Sequence, residues 1–249
     1  MPTPLSAPAR TDYEGPESGV LRCLVAYNAH GGYCVPRGAM HRPCAQAILR
    51  GEAFEPETID LLRSHALHGD VVHAGTFFGD MLPAVSRACG PGRTVWACEP
   101  NAESHRCAGL TVAINGLGNV HLTRAALGAA AGTGLLRVAG AGGVPLGGRS
   151  ALVPGVDAAA GERGETVPLV RIDDLVPPDR HVAIIHLDVE RHEREALSGA
   201  LGTIRRCRPV LLVETVPEAD WLRTHLAPLD YDIAARVGPN TMLIAGRPD

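Results

Sequence analysis

The 249-residue sequence contains no lysine, so arginine supplies all 23 of its Lys and Arg side chains. This absence excludes any mechanism that needs a lysine amine, such as catalysis through a Schiff base. The sequence also lacks a run of about 18 apolar residues, the length that a membrane-spanning helix requires. Its N-terminus does not combine a basic start with a long apolar core. We therefore expect a cytoplasmic protein with no membrane partner.

Two further patterns are missing: a Cys-x-x-Cys pair and a basic segment interleaved with aromatic residues. The seven cysteines are spread singly, which favours free thiols in a reducing compartment over a zinc site or a disulfide framework. The formal net charge of −4 gives no reason to expect a nucleic acid as partner. A small molecule is the expected partner, and the sequence leaves open whether the chain forms a homo-oligomer.

What is present is the composition of an ordinary globular enzyme, 45% hydrophobic and 20% charged. Residues 1–18 are rich in Pro, Ser and Ala and are expected to form a mobile arm. We predict two parts: residues 1–54 as an N-terminal arm and candidate lid, and residues 55–249 as the main domain. The lid hypothesis rests on the polar side chains of His30, Tyr33, His41 and Arg42. Surface decoration is the alternative interpretation of these side chains.

The most informative stretch runs from Asp70 to Asp80, where an apolar run ends in two glycines and a helical pattern follows. Gly75 and Gly79 lack a Cβ, so the backbone of this strand-to-helix turn can approach a ligand closely. Glu99 ends the next apolar run, where an acid can bind a ribose diol. The stretch predicts a nucleotide-like cofactor, and a turn that only packs glycines against the sheet is the alternative.

Strand and helix patterns alternate regularly after Asp70, which predicts right-handed crossovers and a parallel sheet. The predicted elements are strand 70–74, helix 80–89, strand 94–98, helix 101–115 and strand 119–124. Residues 129–165, dominated by Gly and Ala, are expected to form a flexible loop or a substrate-facing flap. The last two strands, 231–236 and 240–246, have a connection short enough for antiparallel pairing.

Several ordered motifs resemble those of one family. Ile185-His-Leu-Asp-Val-Glu-Arg-His-Glu193 is similar to the Leu-Lys-Ile-Asp-Val-Glu-Gly-His-Glu signature of the FkbM family of class I, S-adenosylmethionine-dependent methyltransferases. Arg208-Pro-Val-Leu-Leu-Val-Glu214, Asn240-Thr-Met-Leu-Ile244 and residues 169–175 resemble its other characteristic blocks. The resemblance runs from Glu55 to Ala245.

The resemblance implies a Rossmann-like α/β fold with a mostly parallel seven-stranded sheet, an antiparallel last strand and an N-terminal extension. It implies S-adenosylmethionine as cofactor. Together with the glycine turn and the strand-end acid, it gives a candidate cofactor site of Glu55, His73, Gly75, Thr76, Phe77, Gly79, Asp80, Glu99, Pro100, Asn101, Ala126 and Asp188.

Two departures from the family pattern concern the site. His73 stands where the family's first motif has a carboxylate, so Asp80, Thr76, Glu55 or the backbone must contact the amino-acid end of the cofactor. In the second signature, Arg191 replaces a glycine and His186 replaces a lysine. His186 is expected to be a core residue.

Methyl transfer to a hydroxyl needs positioning and a base. We predict His192 as the general base, with Asp188 either orienting it or acting on the substrate, because an i, i+4 spacing on a helix lets both face one cleft. Helix decoration is the alternative for His192. The oxygen ligands Asp188, Glu190 and Glu214 form a candidate Mg²⁺ site.

The resemblance implies O-methylation of a small-molecule hydroxyl, on a sugar or polyketide-type intermediate of natural product biosynthesis. Two alternatives stay open at this point. A nicotinamide-dependent oxidoreductase uses the same acid at the end of the second strand. A non-catalytic nucleotide-binding module would have the same fold without the catalytic activity.

Overall fold

The computed structural model describes residues 22–246, and the arm expected at residues 1–18 lies outside them. The strands are β1 Cys23–Asn28, β2 Gly31–Pro36, β3 Asp70–Ala74, β4 Val95–Cys98, β5 Val120–Thr123, β6 Ala126–Leu127, β7 Gly132–Ala139, β8 Ala151–Leu152, β9 Arg163–Val170, β10 Val182–Leu187, β11 Val210–Val213, β12 Tyr231–Val237 and β13 Asn240–Ala245. The α-helices are α1 Pro43–Leu49, α2 Pro56–Ala66, α3 Leu82–Ala88, α4 Ala102–Asn115, α5 Ile172–Leu175, α6 Glu193–Ser198, α7 Leu201–Cys207 and α8 Ala219–His225.

A seven-stranded sheet in the order β12-β13-β11-β10-β3-β4-β5 forms the centre of the fold. The pairs from β11 to β5 are parallel, whereas β13 is antiparallel to both β11 and β12. The predicted α/β fold is confirmed, and the sheet is mixed. The last strand lies inside the sheet because a short hairpin returns it between β11 and β12.

Apolar residues cover both faces of this sheet. All residues of β3, β4 and β10 are buried, as expected for strands with helices on both sides. One core cluster contains Val72, Ile185 and Leu197, and a second contains Val71, Leu82 and Ile184. Successive residues of a strand point to opposite faces, so β3 and β10 contribute to both clusters.

The prediction of a flexible loop at residues 129–165 was wrong, whereas the alternative of a substrate-facing flap stays a prediction. Much of this segment is ordered as strands β7 and β8 and the start of β9, within a second sheet of order β6-β9-β7-β8. Glycine and alanine obscured the pattern, but Val167 lies between exposed residues, Leu136 lies between half-buried ones, and both pack in a small core of their own. Leu136 and Leu152 place this sheet beside the carboxyl ends of the main strands.

The described part of the N-terminal segment packs on the domain. The β1-β2 hairpin and α1 share an apolar cluster with the glycine turn, in which Tyr33 contacts Phe78 edge to face. The Cys34 N–H donates to the Thr111 hydroxyl of α4, and Asn115 bonds both backbone groups of Gly32. These bonds fix the position of α1, whose N-terminus faces the candidate site.

All seven cysteines are free thiols. Over residues 22–246, no helix has the length and apolar character needed to cross a membrane.

Candidate active site

The glycine turn after β3 holds two strand ends in contact. Gly75 has φ +84, a conformation that residues with a side chain rarely adopt. A Cβ added there would lie 1.8 Å from the backbone oxygen of Asp188, and the Asp188 N–H donates to the Ala74 oxygen at 3.1 Å. The absence of a side chain at Gly75 therefore lets the end of β10 reach the turn.

Glu99 follows β4 and is 5% exposed. Its carboxylate oxygens accept hydrogen bonds from the backbone N–H groups of Phe77, at 2.7 Å, and Asn101, at 2.9 Å. Burial raises the pKa of Glu99 to about 8, although these two bonds oppose the shift. The acid is thus fixed between the glycine turn and the start of α4, and each oxygen retains a second lone pair for a ligand hydroxyl.

Glu99 contributes to a narrow pocket of about 40 Å³. Ala126 and Leu127 line one side, and Leu136 and Leu152 of the second sheet cover it. The other predicted site residues that line it are Gly75, Pro100, Asp188, Glu190 and His192. The pocket is mostly apolar, with carboxylates at its inner end.

A wide cavity of about 930 Å³ adjoins the narrow pocket. Gly75, Gly148, Asp188 and Glu190 line both spaces. The remaining predicted residues in the wide cavity are Glu55, His73, Phe77, Asp80 and Glu214. The structure therefore brings most of the predicted site to one edge of the sheet, where parallel strands usually place their ligands.

Two buried histidines meet at the wall of the wide cavity. The Nδ1 atoms of His73 and His186, on the paired strands β3 and β10, lie 2.9 Å apart. The contact joins the same atom, Nδ1, of the two rings. One ring must therefore carry a hydrogen on its Nδ1 and donate it to the lone pair on the Nδ1 of the other. The Nε2 atom of each ring is buried without a hydrogen-bond partner. Burial lowers the pKa of His186 to about 4 and that of His73 well below its usual value, so both rings are neutral.

Asp188 has the most perturbed pKa of the acids at the junction, the place where the narrow pocket and the wide cavity meet. Burial is the largest cause, and the neighbouring Glu214, Glu55 and Glu190 add repulsion, so that the pKa of Asp188 rises to about 8. Burial also raises the pKa of Asp80 to about 6. A carboxyl with such a pKa is a stronger base than an ordinary aspartate once it has lost its proton.

The predicted metal site is not supported. Within residues 22–246, no group of three or more His, Cys, Asp or Glu side chains is arranged to hold a metal ion. Asp188, Glu190 and Glu214 lie near enough to repel one another's charge, but within the described residues they do not form such a group.

The helical spacing assumed for Asp188 and His192 is also absent. Residues 188–192 form a bend, and α6 begins only at Glu193. Both side chains line the narrow pocket, but the carboxylate nearest to the His192 ring is that of Glu195, at 3.8 Å from Nδ1, and His192 does not line the wide cavity. The left-handed φ values of Glu190 and Arg191 prevent a helix from starting at Asp188.

Three predicted cofactor residues line neither space. Thr76 donates its hydroxyl to the His73 oxygen, and Gly79 packs against Leu82 and Thr111. Asn101 acts through its neighbours: it caps α4 and donates to the Ser150 hydroxyl. These residues shape the turn rather than the surface that a ligand would touch.

Sequence reasoning missed the contribution of the second sheet. This sheet and the segment that leads into β8 add nine residues to the cavity walls: Leu136, Arg137, Leu146, Gly147, Gly148, Arg149, Ser150, Ala151 and Leu152. The strand pattern of residues 132–139 was the available signal. Of the four candidate lid residues, the cavity walls include Arg42, whereas Tyr33 lies in the core.

Comparison with known proteins gives a family match. The sequence model of the methyltransferase FkbM domain matches residues 72–233, which is more than half of the chain. A search of curated proteins finds no significant match.

Solved structures with a similar fold include a methyltransferase FkbM from Methylobacillus flagellatus KT, with 19% identity and a TM-score of 0.47. The alignment covers 72% of this chain and 43% of that one, so the chain spans less than half of that protein. A methyltransferase from Geobacter sulfurreducens has 18% identity and a TM-score of 0.45, covering 82% of this chain and 86% of that one.

The O-methyltransferase TomG of Streptomyces achromogenes, involved in tomaymycin synthesis and solved in complex with SAM, has 14% identity and a TM-score of 0.45. That alignment covers 84% of this chain and 87% of that one. With TM-scores below 0.5, these three likenesses assign nothing to this chain. The family match is stronger, because it spans every strand end of the site from His73 to Glu214, and on it the chain belongs to the FkbM methyltransferase family.

Proposed function

We propose that the chain is an S-adenosylmethionine-dependent O-methyltransferase of class I, Rossmann-like architecture, acting on a hydroxyl of a small molecule such as a sugar or polyketide-type intermediate. The observation that carries this proposal is the junction of the two cavities at Gly75, Gly148, Asp188 and Glu190. A donor at the narrow pocket and an acceptor in the wide cavity would meet beside the Asp188 carboxyl. Family membership favours this function over the oxidoreductase and the non-catalytic module.

The residues at the junction fit this cofactor chemically. Glu99 would accept hydrogen bonds from the ribose hydroxyls, and the open backbone at Gly75 would lie against the methionine portion. His73 would replace the carboxylate of the family motif: in the tautomer whose Nδ1–H donates to His186, the unpartnered Nε2 of His73 would accept a hydrogen bond from the amino group. When bound, the cofactor supplies an electrophilic methyl group on a sulfonium.

The narrow pocket must widen to take an adenosine. Its volume of about 40 Å³ is far below the roughly 300–1,000 Å³ of ordinary ligand pockets. Leu136, Leu152 and Ser150 form the cover that would move outward. The turn at residues 147–149 carries this cover and packs on Phe77 and Ala39, so its motion is coupled to the glycine turn.

We propose Asp188 as the general base. It lines both spaces, whereas His192 lines only the narrow one. A carboxylate with a pKa near 8 can take the proton of an acceptor hydroxyl as the methyl group is transferred. His192 would then contact the cofactor side.

The described part of the N-terminal segment would complete the acceptor site. Arg42, Pro43 and Cys44 at the start of α1, together with Phe54, line the wide cavity. Residues 22–54 would therefore cover the acceptor as a fixed wall that packs on α4.

Calorimetry with S-adenosylhomocysteine tests the cofactor. We expect micromolar binding to the wild type and a loss of about tenfold or more in Glu99→Ala, because the ribose loses its acceptor. The matched control is Glu57→Ala, an exposed acid outside both cavities, which should bind as wild type does. Binding of NAD in place of S-adenosylhomocysteine would contradict the proposal.

A further inference from the structure

Three arginines from separate segments line one side of the wide cavity. Arg42 precedes α1, Arg149 ends the turn before β8, and Arg191 lies in the bend after β10. No carboxylate lies within 4 Å of any of these guanidinium groups in the described part of the chain. The fold thus brings together three cations that no ion pair neutralises.

Glu190 is the acid that these arginines share. Each of the three guanidinium groups exerts an attraction on its carboxylate, and burial and Glu214 oppose that attraction. A single carboxylate balances at most one of three positive charges. Arg137, a fourth arginine of the cavity, provides the contrast, because it forms an ion pair with Glu162 at 3.1 Å.

Two features of this arginine cluster are energetically unfavourable: the backbone conformation of one member and the burial of another. Arg191 has φ +72, a conformation that glycine adopts freely and a residue with a side chain adopts only with strain. The Nε atom of Arg42 is buried and has no hydrogen-bond partner, and burial together with repulsion from Arg149 lowers its pKa. An incoming oxyanion would satisfy this donor and relieve the repulsion.

We infer that the methyl acceptor is an anion whose carboxylate or phosphate group is bound by Arg42, Arg149 and Arg191, while its hydroxyl group lies at Asp188. This inference rests on the proposed function and names the substrate class for the same site. Planar guanidinium groups recognise both oxyanions through paired N–H donors. Glu190 interacts with the three arginines and also with Asp188, so the anion subsite and the reacting hydroxyl adjoin the same carboxylate.

Inorganic phosphate and acetate are the probes, because each presents the oxyanion group alone, without the rest of an acceptor molecule. Phosphate binding followed by ³¹P line broadening should give a Kd on the order of 1–10 mM for the wild type. Each of Arg42→Gln, Arg149→Gln and Arg191→Gln should weaken it by about threefold to tenfold. Glu190→Gln should strengthen it, since the competing carboxylate is gone. The exposed Arg206→Gln, on α7, is the matched control and should bind as wild type does.

Matched acceptor pairs identify the anion. Glucose 6-phosphate against glucose and methyl glucuronide against methyl glucoside are tested for tritium transfer from labelled S-adenosylmethionine and for binding. The charged member of at least one pair should bind about tenfold more tightly than its neutral partner, and the phosphate and carboxylate pairs distinguish the two sources.

The outcomes separate this inference from the proposed function. S-adenosylhomocysteine binding is measured on every variant, and its absence in the wild type would defeat the methyltransferase proposal itself. Normal cofactor binding would overturn the anionic acceptor alone if the wild type bound neither phosphate nor acetate, or if the affinity for the bound probe were unchanged in the variant that carries all three Arg→Gln substitutions. Preserved cofactor binding in the arginine variants also excludes misfolding.

Discussion

The Nδ1 atoms of His73 and His186 lie 2.9 Å apart, and the two imidazole rings stack nearly parallel, with 5.0 Å between their centroids. Both rings are buried on paired strands, in register. The pair can exist only with one proton between the two Nδ1 atoms, since two protons there would repel. Its stability therefore depends on pH.

We predict that acid destabilises the protein through this pair. The pKa of His186 is lowered to about 4 in the folded chain, while an unfolded histidine takes up its proton near pH 6.5. The stabilisation is complete above pH 6.5 and is lost as the pH falls toward 4, because only the unfolded state gains the proton. The slope is about 1.4 kcal/mol per pH unit for one histidine.

Denaturant unfolding of wild type and His186→Asn at several pH values tests this prediction. Buried acids with a raised pKa, Glu99 and Asp188 among them, give the opposite slope in both proteins. The relevant quantity is therefore the difference in free energy of unfolding between wild type and variant. That difference should shrink by about 3 kcal/mol between pH 6.5 and 4. A constant difference would show that His186 is not neutral.

Gly75→Ala should destabilise the fold and abolish cofactor binding. The new Cβ would meet the Asp188 oxygen at 1.8 Å with φ at +84, so the strand end must move. We expect a loss of about 2 kcal/mol or more in the free energy of unfolding. Gly109→Ala in α4 is the control: nothing lies within 4 Å of its Cβ, and stability should rise by about 0.5–1 kcal/mol.

Arg180→Gln should be strongly destabilising. Asp70 is fully buried at the start of β3 and accepts two hydrogen bonds from Arg180, at 2.6 and 2.7 Å, and one from the Trp96 indole. Loss of the guanidinium leaves the buried Asp70 carboxylate without a cation. We expect the free energy of unfolding to fall by about 3–5 kcal/mol, as measured by thermal or chemical denaturation. The exposed pair of Arg223 and Asp220 is the control, and Arg223→Gln should cost less than about 1 kcal/mol.

Asp188→Asn should remove the base without removing the cofactor. We expect kcat to fall by about 10²–10⁴-fold, with S-adenosylhomocysteine affinity nearly unchanged. In the wild type, kcat/KM should rise with pH through a midpoint near 8, where Asp188 loses its proton.

His192→Gln decides between the two candidate bases. With Asp188 as the base, this variant keeps the pH midpoint, and carboxyl NMR of labelled protein shows an acid titrating near pH 8 that Asp188→Asn lacks. A variant of His192 that loses both the activity and the midpoint would show that His192 is the base.

The motifs were a good guide to the main sheet and to the family. The run from Asp70 to Ala74 is a strand as predicted, and Glu99 directly follows β4. These elements could be predicted because their apolar pattern is local and their burial leaves little choice of partner. The second sheet escaped prediction, because Gly132 and Gly134 weaken the strand pattern of β7 and its pairing with β9 lies about 30 residues away in sequence.

The sequence by itself determined the elements of the main sheet, their order and the residues that follow its strands, because periodicity and turn residues act over a few positions. Only the tertiary structure decided which of those residues meet. It placed a bend with two left-handed residues between Asp188 and His192, paired His73 with His186, and brought Arg42, Arg149 and Arg191 to one cavity. These relationships depend on packing between segments far apart in the chain, and no local pattern encodes such distances.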